Sequence, residues 1–213
     1  MMLTQIHRDM DAVLDELIDN RQIVAIYQGN SEWGPRALGN RSIMFDPRIP
    51  NAKEIVNTVK KREEYRPFAC SVLKEVADDY FHMLQLKDEG SPYMSFAIQA
   101  RDKAYEEIPS LVHADGTCRI QTVTEEDNPV YYNLIKKFGE RTGTPIIFNT
   151  SFNLGGEALV ESLYDAIDTC NRSMINHLYI PEEEGDIYIP NEALRFKSSN
   201  PDDYENEFSE SQR

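Results

Sequence analysis

The chain has 213 residues, 40% of them hydrophobic and 28% charged, with a formal net charge of −15. That length buries a core without covalent staples, and three widely spaced cysteines (Cys70, Cys118, Cys170) exclude a disulfide framework and a cysteine-based zinc module. The acid excess argues against nucleic-acid binding by bulk electrostatics, and no apolar run approaches the ~18 residues a bilayer span needs, so the chain reads as soluble and cytoplasmic.

Residues 1–20 read as an acidic amphipathic helix, with Ile6, Met10, Val13, Leu14, Leu17 and Ile18 at i, i+3, i+4 spacing; the segment has neither signal-peptide nor transit-peptide character. Gln22 to Tyr27 is a short apolar run that predicts a buried strand. A loop with Gly29, Gly34, Pro35 and Gly39 follows, then a second strand over Ser42 to Asp46. Lys53 to Lys61 reads as helix, Phe68 to Leu73 as strand and Glu75 to Met83 as helix. Tyr93 to Gln99 and Cys118 to Val123 have strand character. Asn128-Pro129 opens a helix that Gly143 stops, and Pro145 to Phe148 is another strand. Ser162 caps a helix running to Met174, and His177 to Ile180 is the last strand. Alternating strands and helices predict an α/β domain with a mixed sheet over residues 21–197. From Pro181 onward there are ten acids against three bases, and residues 198–213 read as an acidic, disordered tail.

Charge is uneven along the chain. From Glu32 to Arg66 eight basic residues face five acids, a net +3 against −18 for the remainder. A basic island in an acidic chain suggests a small, highly charged anion as ligand, although solvated surface lysines and arginines give the same count.

Four stretches could carry chemistry. The loop Gly29 to Ser42 follows a strand and is glycine-rich, but Pro35-Arg36 stands where a P-loop has Lys-Ser/Thr. Its Arg36 and Arg41 offer planar forks that match phosphate or carboxylate. In Val59 to Ala69, Lys60, Lys61, Arg62 and Arg66 cluster at a helix end, where they either neutralise phosphate or merely favour the helix dipole. In Asp115 to Val123, strand alternation puts Arg119, Gln121 and Val123 on one face. Phe148 to Glu157 leaves a strand for a Gly-rich turn, where Asn149, Ser151 and Asn153 either hydrogen-bond a ligand or make ordinary turns. The four histidines (His7, His82, His113, His177) show no ligand spacing, so no protein metal site is expected, and no nucleophile elbow is present.

Taken in order, E-W-G-P-R-A-L-G-N-R-S with D-P-R, V-K-x-R-E-x-x-R-P-F-A, R-I-Q-T-V and F-N-T-S-F-N resemble the C-terminal, YrdC-like domain of the O-carbamoyltransferases of antibiotic and nodulation-factor biosynthesis. The likeness runs from about Gln22 to Ile180. It implies a YrdC-like mixed twisted sheet with flanking helices. It also implies formation of carbamoyl-adenylate from ATP (with Mg²⁺) and carbamoyl phosphate, releasing pyrophosphate and phosphate. Carried over by motif, Lys60, Arg66 and Arg119 take catalytic roles, with Lys61 held beside Lys60. Arg36, Arg41, Arg62, Asn149, Ser151 and Asn153 bind carbamoyl phosphate and the ATP phosphates. Trp33 stands where the family pattern has Phe, and Cys70 where it has Pro. The transfer step belongs to an ASKHA-like domain with its own metal site, expected here as a separate partner chain in a heteromer. The helix around Met10 to Ile18 is one candidate contact for it. The acceptor hydroxyl is left open, a nucleic-acid acceptor reached through the partner included. Two other readings fit the residues: a nucleotide- or RNA-binding module without turnover, and a threonylcarbamoyl-adenylate synthase.

Overall fold

The computed structural model describes residues 3–181 and 189–190. The acidic tail lies outside the described residues. Among the described residues nine strands form one mixed sheet in the order β5-β6-β4-β7-β3-β2-β8-β1-β9. They are β1 (Leu3–His7), β2 (Val24–Tyr27), β3 (Arg41–Phe45), β4 (Ala69–Leu73), β5 (Ala97–Gln99), β6 (Thr117–Val123), β7 (Ile146–Ser151), β8 (His177–Tyr179) and β9 (Ile189–Pro190). Pairs β4–β6, β2–β8 and β1–β8 run parallel, and the remaining pairs antiparallel.

Period-2 alternation sends each strand's side chains into two cores, one on each face. Ala25, Ile43, Phe45, Cys70, Val72, Ile146 and Phe148 join α2 (Ala52–Val59) and α6 (Leu163–Asn171) on one face. Val24, Ile26, Met44, Leu73 and Ile147 join α1 (Met10–Leu14) and α5 (Pro129–Thr142) on the other. The expected caps are present. Asn128 Oδ1 accepts the Tyr131 N–H at 3.1 Å with Pro129 in the first turn, Gly143 ends α5 at φ +81, and Ser162 closes a capping box with Asp165.

The sequence reading departs from the structure mainly at the N-terminus. Leu3–His7 is a strand paired in parallel with β8, so Ile6 belongs to the sheet and not to a helix. Helical spacing there loses to edge pairing, which satisfies a row of backbone groups. Asp9 then caps α1, which widens into a π-helical turn over Asp15–Asp19. Val13, Leu14 and Leu17 have no exposure and pack in the α5-side core, while Lys137 pairs with Asp11 and Arg141 with Asp15 and Asp19. The apolar face offered as a partner contact is thus used within the domain. Glu75 to Met83 is helical only as a 3₁₀ turn and the short α3 (Ala77–Tyr80); Tyr93 to Gln99 is extended only at β5, and α4 (Asp102–Glu107) was not anticipated.

Phe148 sits on central strand β7 with no exposure, its ring centroid 4.5 Å from that of Phe68. Phe148→Ala is expected to lower unfolding free energy by about 3–5 kcal/mol, read from urea denaturation, because the packed sheet cannot collapse into the void. A loss below about 1 kcal/mol would mean the core on this face is not close-packed.

Candidate active site

A cleft of about 260 Å³ opens where β4, β6 and β7 meet the loop before β3 and the turn after α2. Its lining includes Arg36, Lys60, Arg62, Arg66 and Arg119, together with Asn149, Ser151, Asn153 and Gly155, and among the described residues no carboxylate lines it. Register brings the strand residues together, since Ala69 on β4 lies opposite Arg119 on β6 and Asn149 on β7. The small Ala69 side chain thus leaves room on this face between an arginine and an amide.

The cations show the strain of their crowding. Burial, then the neighbouring Arg62, pushes the Lys60 ammonium down to about 7. Burial and Arg66 push Arg62 down to about 10, and burial and Arg36 lower Arg119. Lys60 is 2% exposed, and its Nζ donates to the Ser151 carbonyl, to Ser151 Oγ at 3.3 Å and to Asn153 Oδ1 at 3.1 Å. All three ammonium hydrogens are therefore engaged within the protein. Ser151 Oγ bonds Asn153 Oδ1 at 2.6 Å. Arg62 lies over the Phe68 ring at 4.1 Å and donates to Asn57 Oδ1 at 2.6 Å, while its Nη2 is buried without a partner. Arg66 is half exposed and pairs with Glu63 at 2.8 Å.

Two sets of hydrogen bonds hold the Arg36 loop. From the sheet, Asn149 Nδ2 donates to the Ala37 carbonyl at 3.1 Å and Gln121 Nε2 to the Leu38 carbonyl at 2.8 Å. Ser71 and the Tyr131 hydroxyl complete this buried network, with Ser71 Oγ 2.7 Å from Gln121 Oε1 and 3.0 Å from the tyrosine oxygen. From within the loop, Glu32 Oε1 accepts the N–H groups of Leu38 and Asn40 at 2.7 and 2.9 Å. Gly39 is required at the crossing: φ is +108, and a Cβ there would lie 2.4 Å from the Tyr131 ring. After α2, the buried Asn57 amide donates to the Glu64 and Arg66 carbonyls. Gly155 donates to the Lys60 carbonyl at 2.7 Å, with a Cβ excluded by the Lys61 carbonyl.

Of the residues selected from sequence, Arg36, Lys60, Arg62, Arg66, Arg119, Asn149, Ser151 and Asn153 converge on the cleft. Lys61 and Arg41 do not. Lys61 takes a left-handed turn at φ +53 that sends its Nζ to the Arg172 carbonyl at 3.2 Å, which separates the paired lysines. Arg41 is 2% exposed and donates to the carbonyls of Gln28, Gly29, Asn40 and Glu161, over the Tyr27 ring. It braces the base of the loop. Asn149 lines the cleft, yet its amide nitrogen is spent on the loop and the network. Sequence reasoning missed Glu32, Asn57, Ser71 and Tyr131; a polar Asn57 on the inward face of α2 was the one available signal. The cysteine thiols are buried, and burial pushes Cys118 up to about 12, so none is poised as a nucleophile.

The sheet order and flanking helices define a YrdC-like fold, and one end of its central strands carries a cleft lined by five cations. The solved structures similar to it agree on the fold: Sua5 of P. abyssi, complexed with L-threonine, at TM-score 0.56 and 12% identity over 82% of this chain and 48% of that one. Full-length HypF, in a phosphate- and nucleotide-bound form, gives 0.53 at 15% identity over 85% and 25%. Residues 15–183 match the carbamoyltransferase C-terminus family, and the chain belongs to that family. It is 45% identical over 154 residues to nodulation protein NolO of Bradyrhizobium diazoefficiens, covering 70% of this chain and 27% of that protein. It is 38% identical over 190 residues to nodulation protein NolNO of Sinorhizobium fredii, covering 89% and 26%. It is 32% identical over 169 residues to the 3'-hydroxymethylcephem-O-carbamoyltransferase of Streptomyces clavuligerus, covering 79% and 31%. The chain thus spans about a quarter to a third of the length of these relatives. Among the described residues no helix is long and apolar enough to cross a membrane.

With Lys60 pushed down to about 7, it is charged below that pH and increasingly neutral above it. Affinity for sulfate, which does not titrate in this range, is expected to fall as pH rises from 6 to 9 and to be weaker and nearly flat in Lys60→Met. Calorimetric titration reads both; a wild-type affinity and profile no different from the variant's would remove Lys60 from anion binding.

Proposed function

We propose that this domain is the adenylate-forming part of an O-carbamoyltransferase. Carbamoyl phosphate loses its phosphate to water, and the carbamate oxygen then bonds the α-phosphorus of ATP as the bond to pyrophosphate breaks. The observation that carries the reading is the convergence of five cations on one cleft, in which the one carboxylate paired with them among the described residues is the half-exposed Glu63 on Arg66. Two polyanions must meet there, and fixed cations offset their repulsion in a part-buried setting where electrostatic stabilisation is strongest. The reaction asks for positioning of a preformed nucleophile, which suits a site of Arg, Lys, Asn and Ser without a catalytic triad.

The cleft volume, about 260 Å³, lies below the range of pockets that engulf a whole drug-sized ligand. It suits the phosphate chain and carbamoyl phosphate, with the nucleoside beyond it. Mg²⁺ would enter on the ATP phosphates, because the described lining supplies amide and hydroxyl oxygens but no carboxylate. Arg119, Arg36 and Arg66 are assigned to phosphate contact, and Lys60 to charge compensation behind Ser151. Transfer to an acceptor hydroxyl is assigned to an ASKHA-like partner domain outside these residues, in keeping with relatives of which the matched part makes up only 27% and 31%. The alternative, threonylcarbamoyl-adenylate synthesis, draws support only from fold likeness to Sua5 at 12% identity.

Purified protein is expected to release pyrophosphate from ATP only when carbamoyl phosphate is present, and not with threonine plus bicarbonate. Pyrophosphate release that ignores carbamoyl phosphate would overturn the reading. In the same assay Arg119→Ala should lose about 2–5 kcal/mol of transition-state binding, a rate drop of tens- to thousands-fold. Near-normal rates in a variant with unchanged melting would remove Arg119 from the chemistry.

A further inference from the structure

Two of the histidines that look scattered in sequence meet in space. His7 ends β1 and His177 begins β8, the two strands pair in parallel, and the rings stack with centroids 5.2 Å apart. Glu16, in the π-helical turn after α1, closes the group from above. His7 Nε2 lies 3.0 Å from His177 Nδ1 and 3.8 Å from Glu16 Oε1, and His177 Nε2 lies 3.5 Å from Glu16 Oε2. Their side chains are 3%, 12% and 14% exposed for His7, His177 and Glu16. The group sits at the β8–β1 pair, three to four strands along the sheet order from β7 at the cleft.

We propose that His7, Glu16 and His177 form a binding site for one divalent transition cation of the zinc class. The donor set is the first reason. Two imidazole nitrogens and one carboxylate suit zinc, whereas Mg²⁺ and Ca²⁺ take oxygen ligands. Spacing is the second. One ligand atom from each residue can be chosen so that all lie within 4.8 Å of one another. The short contacts use both nitrogens of His177, Nδ1 toward His7 and Nε2 toward Glu16; ligands about 2.0–2.1 Å from a tetrahedral ion stand about 3.3 Å apart, so an ion would turn the His177 ring to offer one nitrogen and draw the chosen atoms together.

Support around the group is the third reason. The wide turn, with the Asn20 N–H bonded to the Asp15 carbonyl at 3.0 Å, divides three acids between two tasks. Asp15 and Asp19 hold Arg141 on the outside, and Glu16 faces the histidines. Asn20 Nδ2 donates to Glu16 Oε2 at 3.0 Å, a supporting bond of the kind metal-binding carboxylates have, and the Glu16 main-chain carbonyl accepts the Gln22 N–H at 2.8 Å, which fixes the backbone of the turn. Three protein ligands leave a fourth position for water. An ion there would clasp the first strand and first helix of the domain to β8, so binding free energy would appear as stability.

The full chain, stripped with chelator, is titrated with Zn²⁺ by calorimetry, and with Co²⁺ followed by visible absorption. The expected result is about one equivalent bound, a four- or five-coordinate cobalt spectrum, a raised melting temperature, and no response to Mg²⁺. Affinity should fall about tenfold or more in both Glu16→Gln and His177→Gln. Glu16→Gln keeps shape and the contact with Asn20, so it decides the matter if His177→Gln fails to fold. No saturable zinc binding, or binding unchanged in folded Glu16→Gln, would overturn the site and leave a hydrogen-bonded His–His–Glu cluster. Neither result bears on the pyrophosphate assay, so this proposal and the functional one fail separately.

Discussion

Like charges held together in a part-buried cleft are the constraint on which the rest of this structure depends. Lys60, Arg62 and Arg119 each hold protons less tightly than usual, because burial is compounded by a neighbouring cation. Such a cluster is destabilising until an anion enters, and the fold must hold it open meanwhile. The scaffold does so with neutral oxygens and amides. Lys60 rests on Ser151 and Asn153, and Arg62 on Asn57. A carboxylate in those places would neutralise the site and compete with the ligand.

The sheet supplies the rigidity. Asn149 on β7 and Gln121 on β6 stand on one face either side of β4 and reach across to the Ala37 and Leu38 carbonyls, so the loop carrying Arg36 is tied to central strands. Glu32 closes the loop on itself, and Arg41 braces its base against the Glu161 carbonyl. These buried polar groups form one connected network, in which losing a member leaves others unpaired. The placement of Arg36 is thus a property of the loop and the sheet together.

Most of the central sheet was legible in the sequence, because strands buried on both faces read as short apolar runs bounded by Gly and Pro. Asn128-Pro129, Gly143 and Ser162 marked helix ends through local hydrogen bonding, which needs no tertiary context. The edge elements were not legible. Leu3–His7 becomes a strand only because β8 offers it a pairing edge, and the spacing of its apolar residues points to a helix. In the cleft, motif order identified the arginines, but direction depends on backbone turns. A positive φ at Lys61 separates it from Lys60, and burial under the loop turns Arg41 into a brace. Glu32, Asn57 and Tyr131 act through backbone carbonyls and amides distant in sequence, and single-residue chemistry does not reveal such partners. The meeting of His7 with His177 depends in the same way on strand order.

The central claim is that the cationic cleft receives both phosphate-bearing substrates. A crystal structure of the protein with a non-hydrolysable ATP analogue and carbamoyl phosphate tests it most directly. The account predicts phosphate oxygens within hydrogen-bond distance of Arg36, Arg66 and Arg119, Arg62 Nη2 satisfied by the ligand, and the Arg36 loop little moved. Phosphates seated elsewhere, with these arginines still facing solvent, would contradict it.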